Sequence, residues 1–289
     1  MKKTFLILAL AIASTAFSQK LNTKLSFKKG QKLEMITDIK RNAKTDMMGQ
    51  SMETNMTSTT TEVYDVKDVT PAGAVIEYKV KRLVFTVDGM GQKQSFDSEK
   101  DDDRKGQMGK ILEKSLKNKF TMTVDPNGKI VDVKKDDDNP NTAGNEADAM
   151  SGLIASQLGF NFTVPKPGDM SVFRFLPSKE TGKGEMWTDS SSIEGQKRKT
   201  VYTVNSFAGN DVLLDYTEDV DVNSTQEVMG TSANIKSTDK TKGQITLDKN
   251  SGLLKQKTAT VETKGTLEGQ GMTIPTTATT TITVTVKES

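Results

Sequence analysis

The sequence contains no cysteine and no histidine, and only one tryptophan, Trp187, among 289 residues. Without cysteine there are no disulfides, so stability must come from burial and strand pairing alone. Without histidine the commonest metal ligand and the commonest general base are both missing. Cys/His zinc sites, Ser-His-Asp triads and Cys-His dyads are therefore excluded. GxSxG, GxxxxGK[ST] and GxGxxG are absent as well, which removes the nucleophile elbow and the common phosphate cradles. Apolar residues make up 34% and aromatics 6%, near the polar edge of the globular range. That composition predicts a thin core and a large wetted surface.

What is present begins with an export signal. Lys2 and Lys3 precede an apolar stretch, Thr4 to Ala16, and Ala16-Phe17-Ser18 places small residues at −3 and −1 before Gln19. This order of charge, apolar run and small residues predicts a signal peptide over residues 1–18, too short in its apolar part to span a bilayer. No cysteine follows it to carry a lipid, so the expectation is an exported chain, periplasmic or extracellular, with no lipid anchor and no transmembrane segment. Of 40 basic residues, removing Lys2 and Lys3 leaves 38 against 38 acidic ones. A balanced chain with few stacking aromatics has no global field for nucleic acid, and no nucleic-acid partner is expected.

The mature chain reads as long alternating strands joined by tight turns. Strand patterns cover Lys32–Ile39, Ser51–Val66, Ala74–Val87, Phe120–Val124, Ile130–Val133, Lys199–Ser206, Val212–Val222, Gln244–Leu247, Leu253–Val261 and Thr277–Val286. Their β-branched, period-2 character marks half-buried strands. Pro71-Ala72-Gly73 and Asp88-Gly89-Met90-Gly91 read as turns, and Asp125-Pro126-Asn127-Gly128 as a hairpin. Two helical patterns interrupt the strands. Met108–Leu116 aligns Met108, Ile111, Leu112 and Leu116, while Glu146–Leu158 aligns Met150, Leu153, Ile154 and Leu158 ahead of Gly159. The fold class expected is all-β, mostly antiparallel, with long strands in a curved sheet or partial barrel and two short helices.

Three ordered matches point to a degenerate internal duplication. Gly30–Asp38 parallels Gly184–Asp189, Val63–Val66 parallels Val201–Val204, and Thr123–Gly128 parallels Thr246–Gly252. This divides the mature chain into a first β unit, residues 19–160, and a second, residues 161–289. Neither half holds enough large apolar residues for its own core, so the two are expected to be continuous as one domain.

Three features bear on chemistry. The acidic runs Asp101–Asp103 and Asp136–Asp138 lack the EF-hand pattern, since Lys105 and Pro140 fall at the fifth position, and they read as solvated loops; no metal or cofactor is expected. Glu34, Asp38, Asp65, Glu77, Asp215 and Glu218 lie in strand runs, mostly at outward positions, which leaves a carboxylate-based hydrolase as a remote alternative. Methionine recurs at glycine turns: Met47, Met48, Met90, Met229 and Met272 all fall where strands should reverse. Adaptable apolar residues at several tips suit contact with an apolar ligand or a partner; the plain alternative is that each caps its own hairpin.

The Ala-Phe-Ser-Gln cleavage region, Phe27-Lys28-Lys29-Gly30-Gln31, the Asp125–Gly128 hairpin and Pro165-Lys166-Pro167-Gly168-Asp169 resemble a family of uncharacterised exported β-rich proteins of Bacteroidota, carrying a domain of unknown function. That family has no assigned activity, so the resemblance implies fold and compartment only. The reading that follows is an exported, non-enzymatic binding or carrier protein, with an apolar small molecule, a lipid or an envelope protein as partner and the tip methionines as its contacts. A structural or surface-adhesive β protein is the alternative.

Overall fold

A computed structural model describes residues 19–47, 49–89, 91–135, 164–193, 195–228, 231–269 and 272–289. The export signal, the acidic run 136–138 and the helix expected over 146–158 lie outside the described residues. The chain runs through β1 (Lys20–Leu21), β2 (Lys32–Met47), β3 (Gln50–Thr70), β4 (Gly73–Gly89) and β5 (Gln92–Asp97). Next come α1 (Asp101–Lys105), α2 (Gln107–Leu116), β6 (Lys119–Val124) and β7 (Ile130–Lys135). The second half supplies β8 (Thr181–Gly182), β9 (Met186–Ile193), β10 (Gln196–Ala208), β11 (Asp211–Val228), β12 (Thr231–Asp248), β13 (Leu254–Gly269) and β14 (Met272–Glu288).

Twelve strands form one antiparallel sheet, ordered β7-β6-β4-β3-β2-β14-β13-β12-β11-β10-β9, with β5 on the far half of β4. β7 and β9 are the two edges and do not pair with each other, so the sheet does not close into a barrel. β14 pairs with β13 on one side and β2 on the other. Pro275 in β14 sits just beyond Thr276–Thr45, the outermost β14–β2 pair. Its missing N–H therefore costs no bond to β2.

Alternation divides the sheet into two faces. One register row reads Lys40, Thr281, Thr260, Lys242 and Thr217, all exposed or half-buried on the wetted face. The adjacent row reads Ile39, Ile282, Ala259, Gly243, Tyr216, Tyr202 and Trp187, facing the core. Bulges in β3–β4, β6–β7, β10–β11 and β12–β13 increase local twist and bend the sheet around this second face.

Two covers lie on the concave face. The first is a plug made of residues 19–31 and 164–184, held together by the β1–β8 pair, with Leu21, Leu25, Phe173 and Leu176 buried against the sheet. Phe173 meets Phe27 and Tyr64 edge-on at 5.4 and 5.1 Å. The Leu25 N–H donates to Pro126 O and the Ser171 N–H to Gly128 O, tying the plug to the expected Asp125–Gly128 hairpin. The second cover is α2, whose Leu112 packs with Ile39, Met56, Leu83, Phe85 and Phe96. α2 occupies the helical pattern at Met108–Leu116. By contrast, Asp101–Asp103, read as a loop, form the first turn of α1, where acidic side chains meet the positive end of the helix dipole.

The strands β2 and β9 start alike. The Gly30 N–H donates to Val66 O, the Val66 N–H to Gln31 O and the Lys28 N–H to Gln31 Oε1. At β9 the Gly184 N–H donates to Val204 O, the Val204 N–H to Glu185 O and the Gly182 N–H to Glu185 Oε2. Both glycines sit at φ +80°, which side-chain-bearing residues rarely adopt.

Candidate functional site

The antiparallel meander puts the hairpins at 47–50, 89–92, 228–231 and 269–272 along one end of the sheet. Met47 ends β2 and Met272 starts the adjacent β14, and they are 37% and 40% exposed. Met48, Met90 and Met229 lie outside the described residues. Near this end β2, β3, β13 and β14 carry polar, exposed or half-buried side chains, well away from the main core.

The main cavity lies at the other end of the concave face, between the plug and the sheet, with a volume of about 640 Å³. That lies within the range of roughly 300–1,000 Å³ typical of small-molecule sites. Its apolar wall includes Met35, Leu254, Val284, Phe175 and Tyr202, and its charged groups are Glu62, Asp189, Glu218, Arg174, Arg198 and Lys257. A smaller chamber of about 240 Å³ adjoins it, sharing Arg198 and Glu218 and adding Arg41, Asp239 and Thr280. Arg41 on β2 and Arg198 on β10 are five strand steps apart, roughly 24 Å across a flat sheet. For both to line one small chamber the sheet must curl strongly, so curvature is what assembles the site.

The charges in the main cavity are mostly engaged. Arg174 Nη1 lies 3.5 Å from Asp189 Oδ2, and Arg198 Nε lies 3.7 Å from Glu218 Oε2. The Thr200 hydroxyl donates to Glu218 Oε2 at 2.7 Å. Glu62 accepts a hydrogen bond from Tyr78 Oη at 2.7 Å and another from Tyr64. Thr60 and Ser171 line the cavity, and Thr60 Oγ1 and Ser171 Oγ are buried and without a partner among the described residues, as is Asp239 Oδ1 at the smaller chamber. Trp187, Tyr202 and Tyr216 stack in series behind the cavity at 5.0 and 6.1 Å. Gly243 makes room for the last ring, since a β-carbon there would stand 2.6 Å from Tyr216 Cε1.

Burial raises the Glu62 carboxyl above the ordinary glutamate range, and the two tyrosine hydrogen bonds only partly offset this. The folded state thus holds this proton to higher pH than the unfolded chain does. Stability from Glu62 is greatest below the unfolded-state value and falls as pH rises towards the folded-state value. Glu62→Gln keeps the acceptor and removes the ionisation. The variant should lose less thermal stability than the parent between pH 4 and pH 8; an equal loss in both would contradict the assignment.

Of the six carboxylates noted in the sequence, Glu218 alone lines the cavity. The others sit on the wetted face, with Glu34 bonded to Lys81, Asp38 to Thr59, Asp65 to Lys67 and Asp215 to Asn205 and Gln244, while Glu77 lies 3.6 Å from Lys67. Asp101 pairs with Arg104, and Asp103 Oδ2 accepts the Asp97 N–H. Glu62 and Lys257, both central to the cavity, were missed. The available signal was phase: Glu62 alternates with buried Thr60 and Tyr64, and Lys257 with buried Ala259.

Residues 72–254, from the β3–β4 turn to the start of β13, match the model of DUF6263, a family of unknown function. No curated protein sequence matches the chain. Among solved structures, lipovitellin, described for its lipid–protein interactions, is similar at a TM-score of 0.49 and 10% identity; the likeness covers 91% of this chain and 25% of that one. The chain thus spans about a quarter of lipovitellin's length. OccK7 of Pseudomonas aeruginosa has a TM-score of 0.24 at 8% identity, covering 91% and 100% of the two chains. An outer membrane channel from Pseudomonas putida F1 has a TM-score of 0.24 at 6% identity, covering 91% and 98%. All three scores lie below 0.5. Among the described residues no helix is long and apolar enough to cross a membrane.

Proposed function

We propose, for a chain that belongs to the DUF6263 family of unknown function, a non-enzymatic carrier role outside the cytoplasm, with an amphipathic small molecule held in the concave cavity. One observation carries this reading. A cavity of about 640 Å³ joins an apolar wall to polar residues, among them Thr60 and Ser171, whose buried hydroxyls have no partner among the described residues. Such hydroxyls are costly to bury unless something bonds to them. Export rests on the signal at residues 1–18. The absence of histidine and cysteine and the pairing of Asp189, Glu218 and Glu62 with neighbouring groups favour binding over catalysis.

Met47 and Met272, on neighbouring hairpins at the opposite end, are an outer contact for an envelope partner in this reading, together with Met48, Met90 and Met229. The duplication is supported by the matching hydrogen bonds at Gly30 and Gly184. Native mass spectrometry of the protein purified from its host envelope tests the carrier role. Extra mass stripped by organic solvent is the expected result, lost when Thr37→Trp fills the cavity. A bare chain would overturn the proposal. If Met48, Met90 and Met229 changed together to Ser left partner capture intact, the tips would have no such role.

A second reading, a structural or adhesive protein, is favoured by the free edge at β9, where Met186 and Ile193 are 65% and 66% exposed. Unpaired edges template pairing with other chains. Concentration-dependent assembly in light scattering would support it; a strict monomer at high concentration would count against it.

A further inference from the structure

Lys257 is an unusual residue for its place. It projects from β13 onto the concave face, in a row that runs Thr37, Val284, Lys257, Ile245 and Leu214. Three of its row-mates, Val284, Ile245 and Leu214, are buried apolar residues. Its ammonium stands 5.2 Å from the ring centre of Tyr216 and 5.8 Å from that of Phe175. Ring faces stabilise a cation only partly. Among the described residues no carboxylate comes within 4.0 Å of Lys257 Nζ. The charges that act on it are Glu218 and Arg198, which have opposite signs and face each other. Arg174 is likewise matched by Asp189, which leaves Lys257 as the cavity's cation with no ion pair among the described residues.

The surroundings complete an acceptor for one negatively charged head. Thr60 and Ser171, from β3 and from the plug, line the same cavity, and their buried hydroxyls have no partner among the described residues. Met35, Leu254, Val284 and Phe175 provide an apolar wall beside them. Resting on the carrier reading above, we propose that the ligand is an acidic amphiphile, an apolar body with a single carboxylate head, and that the head pairs with Lys257. A carboxylate there would exchange a partly desolvated, unpaired ammonium for a charge-assisted hydrogen bond. Burial pushes the Lys257 ammonium below the ordinary lysine range, in keeping with its lack of a paired anion. Glu62 does not compete for it, because both tyrosine hydroxyls already donate to that carboxyl.

The test uses the delipidated full mature chain and two fluorescent probes, cis-parinaric acid and its methyl ester. Saturable binding of the acid is expected, weakened about tenfold or more both in the ester and in Lys257→Met, which keeps the length of the side chain. Lys255→Met, which removes an exposed lysine of the same strand paired with Asp211 outside the cavity, should bind the acid as the parent does. Lys257→Met should also melt at or above the parent temperature, since an unpaired charge leaves an apolar row; a merely structural lysine would lower it. Ester binding equal to acid binding, or undiminished binding by Lys257→Met, would overturn the assignment of the head. An equal loss of binding in Lys255→Met would mean that positive charge in general, not Lys257, captures the acid, and would overturn it too. If neither probe binds while endogenous ligand is still released by solvent, the acidic head is wrong and the carrier role stands. If neither probe binds and no endogenous ligand is found, both fail.

Discussion

Phe173→Ala is expected to destabilise the protein by about 3–5 kcal/mol, the cost typical of removing a fully buried phenylalanine. The ring is wholly inaccessible and sits between Phe27, on the other arm of the plug, and Tyr64, on the sheet. Its removal therefore weakens two contacts together: arm to arm, and plug to sheet. The same segment supplies Ser171, Arg174 and Phe175 to the cavity, so ligand capture should fall with stability. Urea unfolding followed by the fluorescence of Trp187 reads the change directly, because that residue stacks on Tyr202 beside the cavity. A loss below about 1 kcal/mol, small for a core substitution, would mean that the plug contributes little to the fold.

Leu112→Ala should cost about 2–5 kcal/mol by the same mechanism, but with a different outcome. Leu112 belongs to a smaller cluster with Ile39, Met56, Leu83, Phe85 and Phe96, and among the described residues it is the one fully buried helical member. α2 should therefore loosen from β4 while the main core stays intact. Amide exchange should quicken across α2 and β5 at low urea, with the Trp187 transition nearly unmoved. One shared transition, shifted as a whole, would show that the two clusters unfold as a unit.

The strands that bury one face were legible in the sequence, because burial imposes the period-2 pattern. Where both faces are wet that pattern fades. Residues 231–243 of β12, rich in Thr, Ser and Lys, gave no such signal, yet they pair with β11 throughout and with β13 from Asn234 on. β9, with Asp189 and three serines, is held by β10 alone. β5 is a short strand added to the far half of β4. These segments are strands because neighbours complete their ladders, which no local window contains.

The cavity was less legible for a related reason. It draws on β2, β3, β9, β10, β11, β13 and β14 together with the plug, and only the curl of the sheet makes those strands neighbours. A bulge hides Lys257 further. Leu254 pairs with Leu247 while Gln256 pairs with Thr246, so Leu254 and Lys257 line one cavity despite their odd spacing. Simple alternation from Leu254 turns Lys257 outward. The methionine tips were read from a local recurrence, which locates turns well but carries no information on what lies between the strands.

The position of β14 has a kinetic consequence. Among the described strands, the first-half meander, β2 to β7, and the second-half meander, β9 to β13, are hydrogen-bonded into one sheet through this strand. Until it docks, β2 and β13 are two long open borders, each a template for the wrong neighbour. Docking joins residues from opposite ends of the chain, such as Thr37 and Val284, and contacts of such large sequence separation form slowly. A chain emerging from its N-terminus would carry β2 as an open border through most of its synthesis, until one threonine-rich strand arrives to seal it.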